Sequence, residues 1–590
     1  MRLVYTVRAA HPTEHLGDFE LDLEGVDGPT VDLVLPSWIP GSYHIVSYAR
    51  EVRALRAFDR RDDSELPVDR IDKARWRVTT HGSPHIRATY TVYGHQMITE
   101  GFDLTPEHLF LNAGLCLPYV DGHQTVPVEV QLEVPSDWTV VTELEGLGLE
   151  PPRYRAPDYD TLVDNPIDAG HPLVVTIRPA GIPHRISLCG GVGNYELERI
   201  EADLTKVVEA TVRLVGESPL TSYTFFYHLT DIPDGGLEHA GSTSCVVRRL
   251  VFRPEEDYQH FLAETSHEYL HLYNVKRIRP KVLEPFDYTR EAYTRLLWWM
   301  EGTTEYYAYL LLRRAGLLTP PKYLETLAKQ ARQYLDTPGR HHQSLEEASF
   351  LAWIDYYQPT EETPNRSVSY YLKGALVSFC LDLEIRHRSE NRASLDTVLR
   401  ALWQEYGKVG RGLDENGFVP LAERATGLDL QPFFARYVRG TDEIDFDAFA
   451  RWAGLTFGPK PKDPDDSTDE PGYLGIRYEN SGGLVRAREV LSGTPAREAG
   501  LTPGDEIVAF NGIKVTHEGF DKSLKHFPPG TPVDVTIFRR GHLRTLSIAM
   551  GRSPPEKYAF TPVEGPDELA RTVYEGWLES KWEPAKKPGT

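Results

Sequence analysis

Cysteine is scarce in this chain of 590 residues, and the spacing of the few cysteines argues against two kinds of site. The four cysteines lie far apart, without a Cys-x-x-Cys pair, at Cys116, Cys189, Cys245 and Cys380. A disulfide framework or a cysteine metal cluster needs cysteines in a tighter and more numerous pattern. We therefore expect buried free thiols, as in a reducing compartment, and a cytoplasmic protein.

Long apolar runs and an excess of basic residues are also missing. No stretch of about 20 apolar residues is present to span a bilayer. The N-terminus alternates Leu3, Tyr5 and Val7 with polar residues, which is typical of a strand and not of a signal peptide. The 64 basic and 87 acidic residues give a net charge of -23, which repels nucleic acid and anionic lipid. We expect neither nucleic acid nor a membrane among the partners.

The pattern of apolar residues changes along the chain and predicts an α+β protein of several domains. A period of two dominates the first part and indicates a β-sandwich-like domain, and strand-like runs continue from 175 to about 250. After Pro254 the period becomes 3.6, with helices predicted at 255–273 and 291–315 among others. The predicted parts are an N-terminal β domain (1–172), a mainly helical catalytic domain (173–457), a linker rich in Pro and Asp (458–472), a region of short strands (473–551) and a tail with one helix (552–590).

A His-Glu-x-x-His motif, His267 to His271, lies on the helix predicted after Pro254. Residues four apart share one face of a helix, so both imidazoles can reach one cation. Glu268 projects beside them, where its carboxylate can meet a water molecule bound to that cation. The alternative is a pair of surface histidines on an amphipathic helix.

A catalytic zinc ion takes three protein ligands and keeps one position for water, so a third ligand is needed. Asn274 is one turn further on, but a neutral amide is a poor zinc ligand. Glu301 and Glu305 follow the apolar run Trp298–Met300 on the next predicted helix. A carboxylate there is costly to bury unless it is paired or binds metal, and Glu305 could orient a ligand histidine by a hydrogen bond. The alternative is that both acids face solvent.

The stretches HEYLHLYNVKRIRP and WMEGTTEYY resemble the glycyl aminopeptidase family of zinc peptidases, which are relatives of aminopeptidase N with an appended PDZ domain. SWIPGSY (Ser37–Tyr43) and TGLDLQPFFARYVRGTDEIDF (Thr426–Phe446) are similar to further segments of that family. The resemblance therefore extends over most of the chain. It implies a thermolysin-like catalytic domain, one zinc ion per chain, and Glu301 as the third ligand beside His267 and His271.

The segment GGLEH, Gly235 to His239, resembles the edge-strand motif by which the superfamily holds its substrate. Gly235 and Gly236 would then contact the substrate backbone. Glu238 would bind the α-ammonium group, because a carboxylate recognises it by charge-assisted hydrogen bonds. The usual Met-Glu-Asn of the superfamily is Leu-Glu-His here.

The segment SYYLKGA resembles the Tyr-x-Lys-Gly pattern of the superfamily. The match implies that Tyr371 faces the metal and donates a hydrogen bond to the oxyanion of the tetrahedral intermediate. Tyr370 is the rival if the register differs by one residue.

Residues 473–551 resemble a PDZ domain, chiefly in the stretch SGTPAREAGLTPGDEIVAFNG. Such domains add the C-terminal strand of a peptide to a sheet edge and hold its carboxylate with backbone amides. The predicted carboxylate loop consists of Tyr473, Leu474, Gly475 and Ile476. The alternative is a module that only packs against the catalytic domain.

These features together predict a zinc metallopeptidase of the gluzincin type, in which Glu268 acts as general base. It would release N-terminal residues from peptides with a free N-terminus, and the resemblance implies a preference for small residues such as Gly or Ala. A zinc endopeptidase and a non-enzymatic PDZ-type peptide-binding scaffold are the alternatives. The basic run from Lys276 to Lys281 could bind a peptide carboxylate or pair with acids, and structural pairing is the more common outcome.

Overall fold

The computed structural model describes residues 1–460 and 470–584. Contacts between Cα atoms divide the chain into two units. The first unit comprises Met1–Thr294, Tyr307–Leu318 and Leu399–Phe418, and the second comprises Arg295–Tyr306, Thr319–Val398 and Val419–Thr590. This division crosses the predicted catalytic range, and the domain boundaries given above stay predictions.

The N-terminal part of the first unit consists of three sheets. In spatial order, an eight-stranded sheet contains Glu145–Leu149, Pro152–Ala156, Val128–Glu133, Arg2–His11, Leu16–Glu24, His85–Tyr93, Val52–Asp59 and Glu65–Leu66. The two four-stranded sheets contain Thr139–Val141, Ile167–Gly170, His108–Leu111 and Phe102–Leu104, and Tyr119–Val120, Thr30–Val34, Arg75–Thr79 and Val68–Arg70. Strand Leu16–Glu24 buries every second residue, as a sheet with one core face requires. The predicted β-rich N-terminal domain is thus confirmed.

A five-stranded sheet carries the next part of the first unit. Its spatial order is Leu173–Ile177, His184–Cys189, Tyr223–Thr230, Ser242–Arg248 and Gly235–Glu238. The three central strands run parallel and are almost wholly buried. Parallel neighbours need a crossover, and helix Leu197–Val215 supplies it between the second and third strands. The strand-like runs expected between 175 and about 250 are thus present as strands, and helix Leu197–Val215 between them was not predicted.

The helix of the His-Glu-x-x-His motif begins at Glu255, directly after Pro254, and ends at His271. Three acids in its first turn face the positive end of the helix dipole. It packs against both strand Gly235–Glu238 and strand Ser242–Arg248. The helix therefore ends two residues before the predicted position and lies directly under the edge of the sheet.

The next helix begins later than predicted. The segment predicted as one helix over 291–315 begins at Trp298 as a π-helical turn, Trp298–Thr303, and continues as α-helix Thr304–Arg314. The others are Pro320–Leu335, Leu345–Phe350, Thr363–Arg366, Tyr370–Arg388, Leu395–Leu402, Phe418–Thr426, Gln431–Tyr437, Phe446–Arg451 and Glu568–Leu578. None of the helices in the described ranges has the length and apolarity that a bilayer crossing requires.

Two glycines fix the π-helical turn against the long helix of the second unit. A Cβ atom on Gly302 would lie 2.5 Å from the Cα atom of Gly374, so the two backbones are in direct contact. Gly302 follows Glu301, and Gly374 belongs to the helix that begins at Tyr370. The contact therefore sets the position of Glu301 relative to the first turn of that helix.

The PDZ region of the second unit has its own core and sheet. The sheet order is Ile476–Ser481, Leu484–Val490, Glu506–Phe510, Pro532–Arg539 and His542–Ala549, and Ile513–Lys514 pairs with the third strand. The short helices are Pro495–Glu498 and Phe520–Leu524. Strand Leu455–Pro459 pairs with Tyr558–Pro562 and includes the first two residues of the predicted linker, whose middle part, 461–469, lies outside the described residues.

Candidate metal centre and active site

The two histidines of the motif are buried side by side at the end of helix Glu255–His271. His267 is 6% exposed and His271 is 1% exposed, and their ring centroids are 4.6 Å apart. The Nδ1 atom of His271 donates a hydrogen bond to the carbonyl of Asn274 at 2.7 Å, which leaves Nε2 for a metal ion. This burial is inconsistent with the alternative of two surface histidines.

Glu268 lies next to the histidine pair, and one ligand atom from each of the three residues falls within 4.8 Å of the others. Burial raises the pKa of Glu268 above its ordinary value, whereas the neighbouring His271 and His267 lower it. The Thr243 hydroxyl lies 3.3 Å from Oε2 of Glu268 and 3.1 Å from the Leu237 carbonyl, and it can donate to one of them at a time. The carboxylate is therefore basic and held in place by a neighbouring strand.

Strand Gly235–Glu238 ends the five-stranded sheet and pairs on one side only, with Glu238 opposite Thr243. A Cβ atom on Gly236 would overlap the carboxylate of Glu268, whereas one on Gly235 would meet nothing within 4 Å. The backbone of this strand therefore lies directly against the carboxylate of Glu268. An edge of this kind can bind a peptide as an added strand.

Glu238 is 4% exposed, and its Oε1 atom has no hydrogen-bond partner in the described part of the chain. Buried carboxylate oxygens are almost always hydrogen-bonded, so the group has unused capacity for a donor. The N-terminal part of the chain reaches it through Gly41, where a Cβ atom would lie 2.8 Å from Oε2 of Glu238. Gly41 has a φ of 100°, which favours glycine.

Asp164 links the residues that follow strand Gly235–Glu238 to the segment that follows helix Glu255–His271. Its carboxylate accepts hydrogen bonds from the Ala240 backbone N–H at 2.8 Å and contacts Lys276 Nζ at 2.5 Å and His239 Nδ1 at 3.5 Å. Burial disfavours the charged form, but Lys276 and His239 hold the pKa of Asp164 well below its usual range. His239, which replaces the superfamily's asparagine, therefore has a structural partner.

The remaining cations of the basic run are paired as well. Arg277 donates to the carbonyls of Ala240 and Leu272, Arg279 contacts Glu284 at 3.1 Å, and Lys281 contacts Asp414 at 3.3 Å. The basic run thus stabilises the loop after helix Glu255–His271. This is structural pairing, the more common of the two outcomes considered above.

The second unit contains Glu301 and the two tyrosines. Glu301 is 2% exposed in the π-helical turn. Tyr370 is fully buried and its hydroxyl lies 3.4 Å from that of Tyr357, whereas Tyr371 is partly exposed. Burial and then the charge of Glu301 raise the pKa of Tyr371 well above its ordinary value, so its phenol stays protonated. Both hydroxyls interact with Tyr357, so the difference in exposure favours Tyr371 over Tyr370 as a hydrogen-bond donor to a substrate. Glu305 accepts a hydrogen bond from Gln330 at 3.0 Å.

The predicted carboxylate loop of the PDZ domain leads into an edge strand. Tyr473 pairs with Gly551, Leu474 is buried in the core, and Gly475 adopts a φ of 80°. The carbonyl of Gly475 accepts a hydrogen bond from the Leu491 N–H at 2.9 Å, and Ile476 begins the edge strand. This geometry is that of a loop whose carbonyls point inward to the domain.

The PDZ domain also packs against the helical part of the second unit. Asn365 donates to the Val490 carbonyl at 3.0 Å and accepts from the Ser492 N–H at 2.7 Å. Arg497 binds both carboxylate oxygens of Glu362, at 2.9 and 3.1 Å. Packing is therefore one role of the domain, and it leaves the edge strand Ile476–Ser481 paired on one side.

The structure brings together five of the predicted site residues in the first unit, namely Gly236, Glu238, His267, Glu268 and His271. It groups Glu301 with Tyr371 in the second unit. Sequence reasoning missed Thr243 and Gly41, which contact Glu268 and Glu238. Gly41 lies in the segment SWIPGSY and could have been found there, since a glycine beside a proline signals close approach of the backbone.

Comparison with known proteins gives matches to three regions of the chain. The M61 glycyl aminopeptidase model matches residues 260–377, the Peptidase M61 N-terminal domain model matches 4–171, and the PDZ domain model matches 472–550. Among curated proteins, a probable periplasmic serine endoprotease DegP-like of Rhizobium meliloti (strain 1021) is 31% identical over 121 residues, and a carboxy-terminal-processing protease of Bartonella bacilliformis is 33% identical over 96. The matches cover 20% and 16% of this chain and 22% of each relative, so the chain spans about a fifth of their length.

Solved structures give a match over nearly the whole chain. An aminopeptidase N family protein from Idiomarina loihiensis has a TM-score of 0.91 at 29% identity, over 98% of this chain and 100% of that chain. An M1 zinc metallopeptidase from Deinococcus radiodurans is more distant, with a TM-score of 0.47 at 15% identity over 75% of this chain and 94% of that chain. Both domain models of one peptidase family thus match the regions that carry the β-rich domain and the histidine motif, and the chain belongs to the M61 glycyl aminopeptidase family with a PDZ domain.

Proposed function

We propose that this chain is a zinc-dependent aminopeptidase that removes N-terminal residues from peptides. The observation that carries the proposal is the buried, unpartnered Oε1 atom of Glu238, on an edge strand that touches the general base Glu268. A free α-ammonium group supplies the donor that this oxygen lacks. Cleavage after the first residue follows if the ammonium group is fixed there.

The donor set of the motif helix fits zinc. Two buried imidazoles lie one helical turn apart, and the hydrogen bond from His271 to Asn274 fixes the ring nitrogen that is left for the metal. The resemblance assigns the third ligand to Glu301, and that assignment stays a prediction, as does the orienting role of Glu305. When bound, zinc supplies an electrophile for the scissile carbonyl and lowers the pKa of water toward ~7.

Glu268 takes a proton from the attacking water and passes it to the leaving amine. Its burial favours the protonated form, which supports uptake of a proton at neutral pH. The contact with Gly236 places this carboxylate beside the backbone of any peptide that adds to the edge strand. Gly235 and Gly236 thus hold the substrate, and Glu268 acts on it.

Tyr371 donates a hydrogen bond to the oxyanion that forms at the scissile carbonyl. Its phenol is protonated because burial and Glu301 both disfavour the phenolate. The removal of one such donor typically costs about 10²–10³-fold in kcat. Tyr370 is less suited to the role, since it is fully buried whereas Tyr371 is partly exposed.

We further propose that the first substrate residue is small. A cavity of about 10 Å³ lies beside Glu238, and its wall includes Trp38, Tyr43 and Phe286. A space of this size holds about one water molecule, so Gly or Ala fits better than a large side chain. The PDZ domain would bind a peptide C-terminus at strand Ile476–Ser481, with Tyr473 to Ile476 as the carboxylate loop.

The test is hydrolysis of a free and an N-acetylated alanyl anilide by the purified protein with bound zinc. We expect cleavage of the free form alone, and a loss of about 10³-fold in the Glu268→Gln variant. Glu264→Gln, on the same helix and partly exposed, serves as the matched control and should retain activity.

Equal cleavage of both anilides would instead identify an endopeptidase. If the protein with bound zinc cleaves neither anilide, a peptide-binding scaffold would be favoured. Near-normal activity of Glu268→Gln would contradict its role as general base.

A further inference from the structure

A second cluster of buried histidines lies away from the motif helix, in the first unit. His108, Asp168 and His228 are 8%, 1% and 2% exposed. His108 and Asp168 come from paired strands of one four-stranded sheet, and His228 comes from the five-stranded sheet. The cluster therefore lies where the N-terminal β-rich part meets the five-stranded sheet.

The three side chains converge on a single point. Asp168 accepts a hydrogen bond from Nε2 of His108 at 2.5 Å on one oxygen and from Nε2 of His228 at 3.2 Å on the other. One ligand atom from each residue lies within 4.8 Å of the others. Donor atoms around one tetrahedral cation lie about 2.0–2.3 Å from the metal and therefore about 3.3–3.8 Å from one another, so His108 and Asp168 would have to move apart by about 1 Å to admit it.

A cysteine lies next to this cluster, beyond the three donor atoms that fall within 4.8 Å of one another. Cys189 is paired with His228 in parallel register, so the two side chains leave neighbouring strands on the same face. The thiol also interacts with the imidazole of His108. Phe110 covers the other side, with its ring centroid 4.6 Å from that of His228.

Hydrogen bonds within the cluster leave part of its polar capacity unused. The Nδ1 atom of His228 is buried and has no hydrogen-bond partner among the residues that the structure describes. Buried polar atoms are partnered in the great majority of cases. This atom lies on the far side of the ring from Nε2, so the cluster lacks one hydrogen bond, and a cation at its centre would take the two Nε2 atoms in place of their hydrogen bonds to Asp168.

The chemistry of the donors selects zinc over the other common cations. Calcium and magnesium prefer oxygen ligands, whereas two imidazoles, one carboxylate and one thiolate form a mixed N, O and S set that suits zinc. A divalent cation with one carboxylate and one thiolate has no net charge. Such a site can be buried at a lower cost than an unbalanced charge.

We propose that His108, Asp168 and His228, with Cys189 as fourth ligand, form a structural zinc site distinct from the motif helix. Four protein ligands leave no position for a substrate, so the site is structural and not catalytic. It would join strands His108–Leu111 and Ile167–Gly170 to strands His184–Cys189 and Tyr223–Thr230. The site would thereby hold the β-rich part of the first unit against the five-stranded sheet.

The test uses the full-length His267→Ala/His271→Ala variant, in which the motif helix cannot hold a metal ion. After dialysis against metal-free buffer we expect about one zinc ion per chain by mass spectrometry of the metal, and about two in the unaltered protein. Removal of this zinc with a chelator should lower the Tm by at least about 3 °C, and added zinc should restore it. A folded variant that holds no zinc, even with excess zinc supplied, would overturn the proposal.

Two further variants of that protein identify the ligands. Asp168→Asn removes the central charge at almost constant shape and should lose the zinc, whereas His184→Gln should retain it. His184 is the matched control, because it is fully buried on the strand of Cys189 and is bonded to Tyr269 instead. Retention of zinc by Asp168→Asn would overturn the assigned site.

Cobalt replacement tests the thiol. Cobalt bound by the His267→Ala/His271→Ala variant should show the near-ultraviolet charge-transfer band of a thiolate ligand, and Cys189→Ser should abolish that band. A cobalt complex without this band would overturn the assignment of Cys189. Because these readouts measure metal content and spectra, they are independent of whether the protein hydrolyses a peptide.

Discussion

Strands Gly235–Glu238 and Ile476–Ser481 each lie at the edge of a sheet, and they differ in the groups at their ends. Strand Gly235–Glu238 ends at a buried carboxylate with an unpartnered oxygen, whereas strand Ile476–Ser481 begins at a glycine-containing loop of backbone groups. A peptide has an ammonium group at one end and a carboxylate at the other. The same backbone pairing can therefore bind opposite peptide ends, and the flanking groups decide which end is selected.

The largest effect in this comparison is expected for Gly236→Ala. The added Cβ atom would overlap the carboxylate of Glu268 and displace the general base. A displacement of about 1 Å in catalytic geometry costs on the order of 100-fold, so kcat should fall by at least this factor. Gly235→Ala is the control, because nothing lies within 4 Å of its added atom. Steady-state kinetics with equal losses in both variants would show that the strand does not position Glu268.

Glu238→Gln should weaken the selection of the free N-terminus. The substitution replaces a charge-assisted hydrogen bond to the ammonium group, which contributes about 1.5–3 kcal/mol, by a neutral one. We expect kcat/KM for a free alanyl anilide to fall by about 10–100-fold. The ratio of rates on free and acetylated substrates measures this directly. An unchanged ratio would place the ammonium group elsewhere.

Gly475→Ala should disturb the other edge. Its φ of 80° disfavours a side chain, and the new Cβ would overlap Thr494. Gly530→Ala has a φ of 85° but meets nothing within 4 Å, so it isolates the conformational effect of about 1–2 kcal/mol. The overlap with Thr494 should lower the free energy of unfolding of Gly475→Ala by about 1–3 kcal/mol more, the usual cost of overpacking. Calorimetry of the PDZ transition checks the difference, and equal Tm values would show that Thr494 yields without cost.

The smallest effect is expected for Tyr478→Phe on the second edge strand. The Tyr478 hydroxyl donates to Asp521 at 2.8 Å, and its ring lies 4.6 Å from Phe520, so it links the strand to helix Phe520–Leu524. Loss of one partly exposed hydrogen bond should lower the free energy of unfolding by about 0.5–1.5 kcal/mol. A peptide that inserts between strand and helix must displace this contact, so its Kd should decrease slightly. Fluorescence anisotropy with a labelled C-terminal peptide measures the change, and weaker binding would contradict it.

The catalytic motif could be predicted from the sequence because it is local. His267, Glu268 and His271 occupy one helix, and their spacing alone places them on one face. Helix Leu197–Val215 could also have been found, because Ile200, Leu204, Val207 and Val208 follow the helical period. It was missed because strand-like runs on both sides dominated the interpretation of the segment.

Other features depend on contacts between distant parts of the chain, and local patterns do not show them. His108, Asp168 and His228 are far apart in sequence and meet only through the order of strands in two sheets. The π-helical turn at Glu301 follows from the approach of Gly302 to Gly374, which no periodicity records. Sequence reasoning thus predicted the fold class and the position of the histidine motif on a helix, whereas sheet order and helix packing determined its surroundings.

The contact of Gly41 with Glu238 has a consequence for the evolutionary history of such chains. The segment around Trp38 is fixed on the loop after the motif helix by hydrogen bonds to the Asp287 and Tyr288 carbonyls, each 2.8 Å long. Recombination that exchanged the first 170 residues for an unrelated domain would keep the histidine motif but lose one wall around the acid. If Glu238 binds the substrate ammonium group as proposed, such an exchange should reduce the preference for free N-termini more than it reduces hydrolysis.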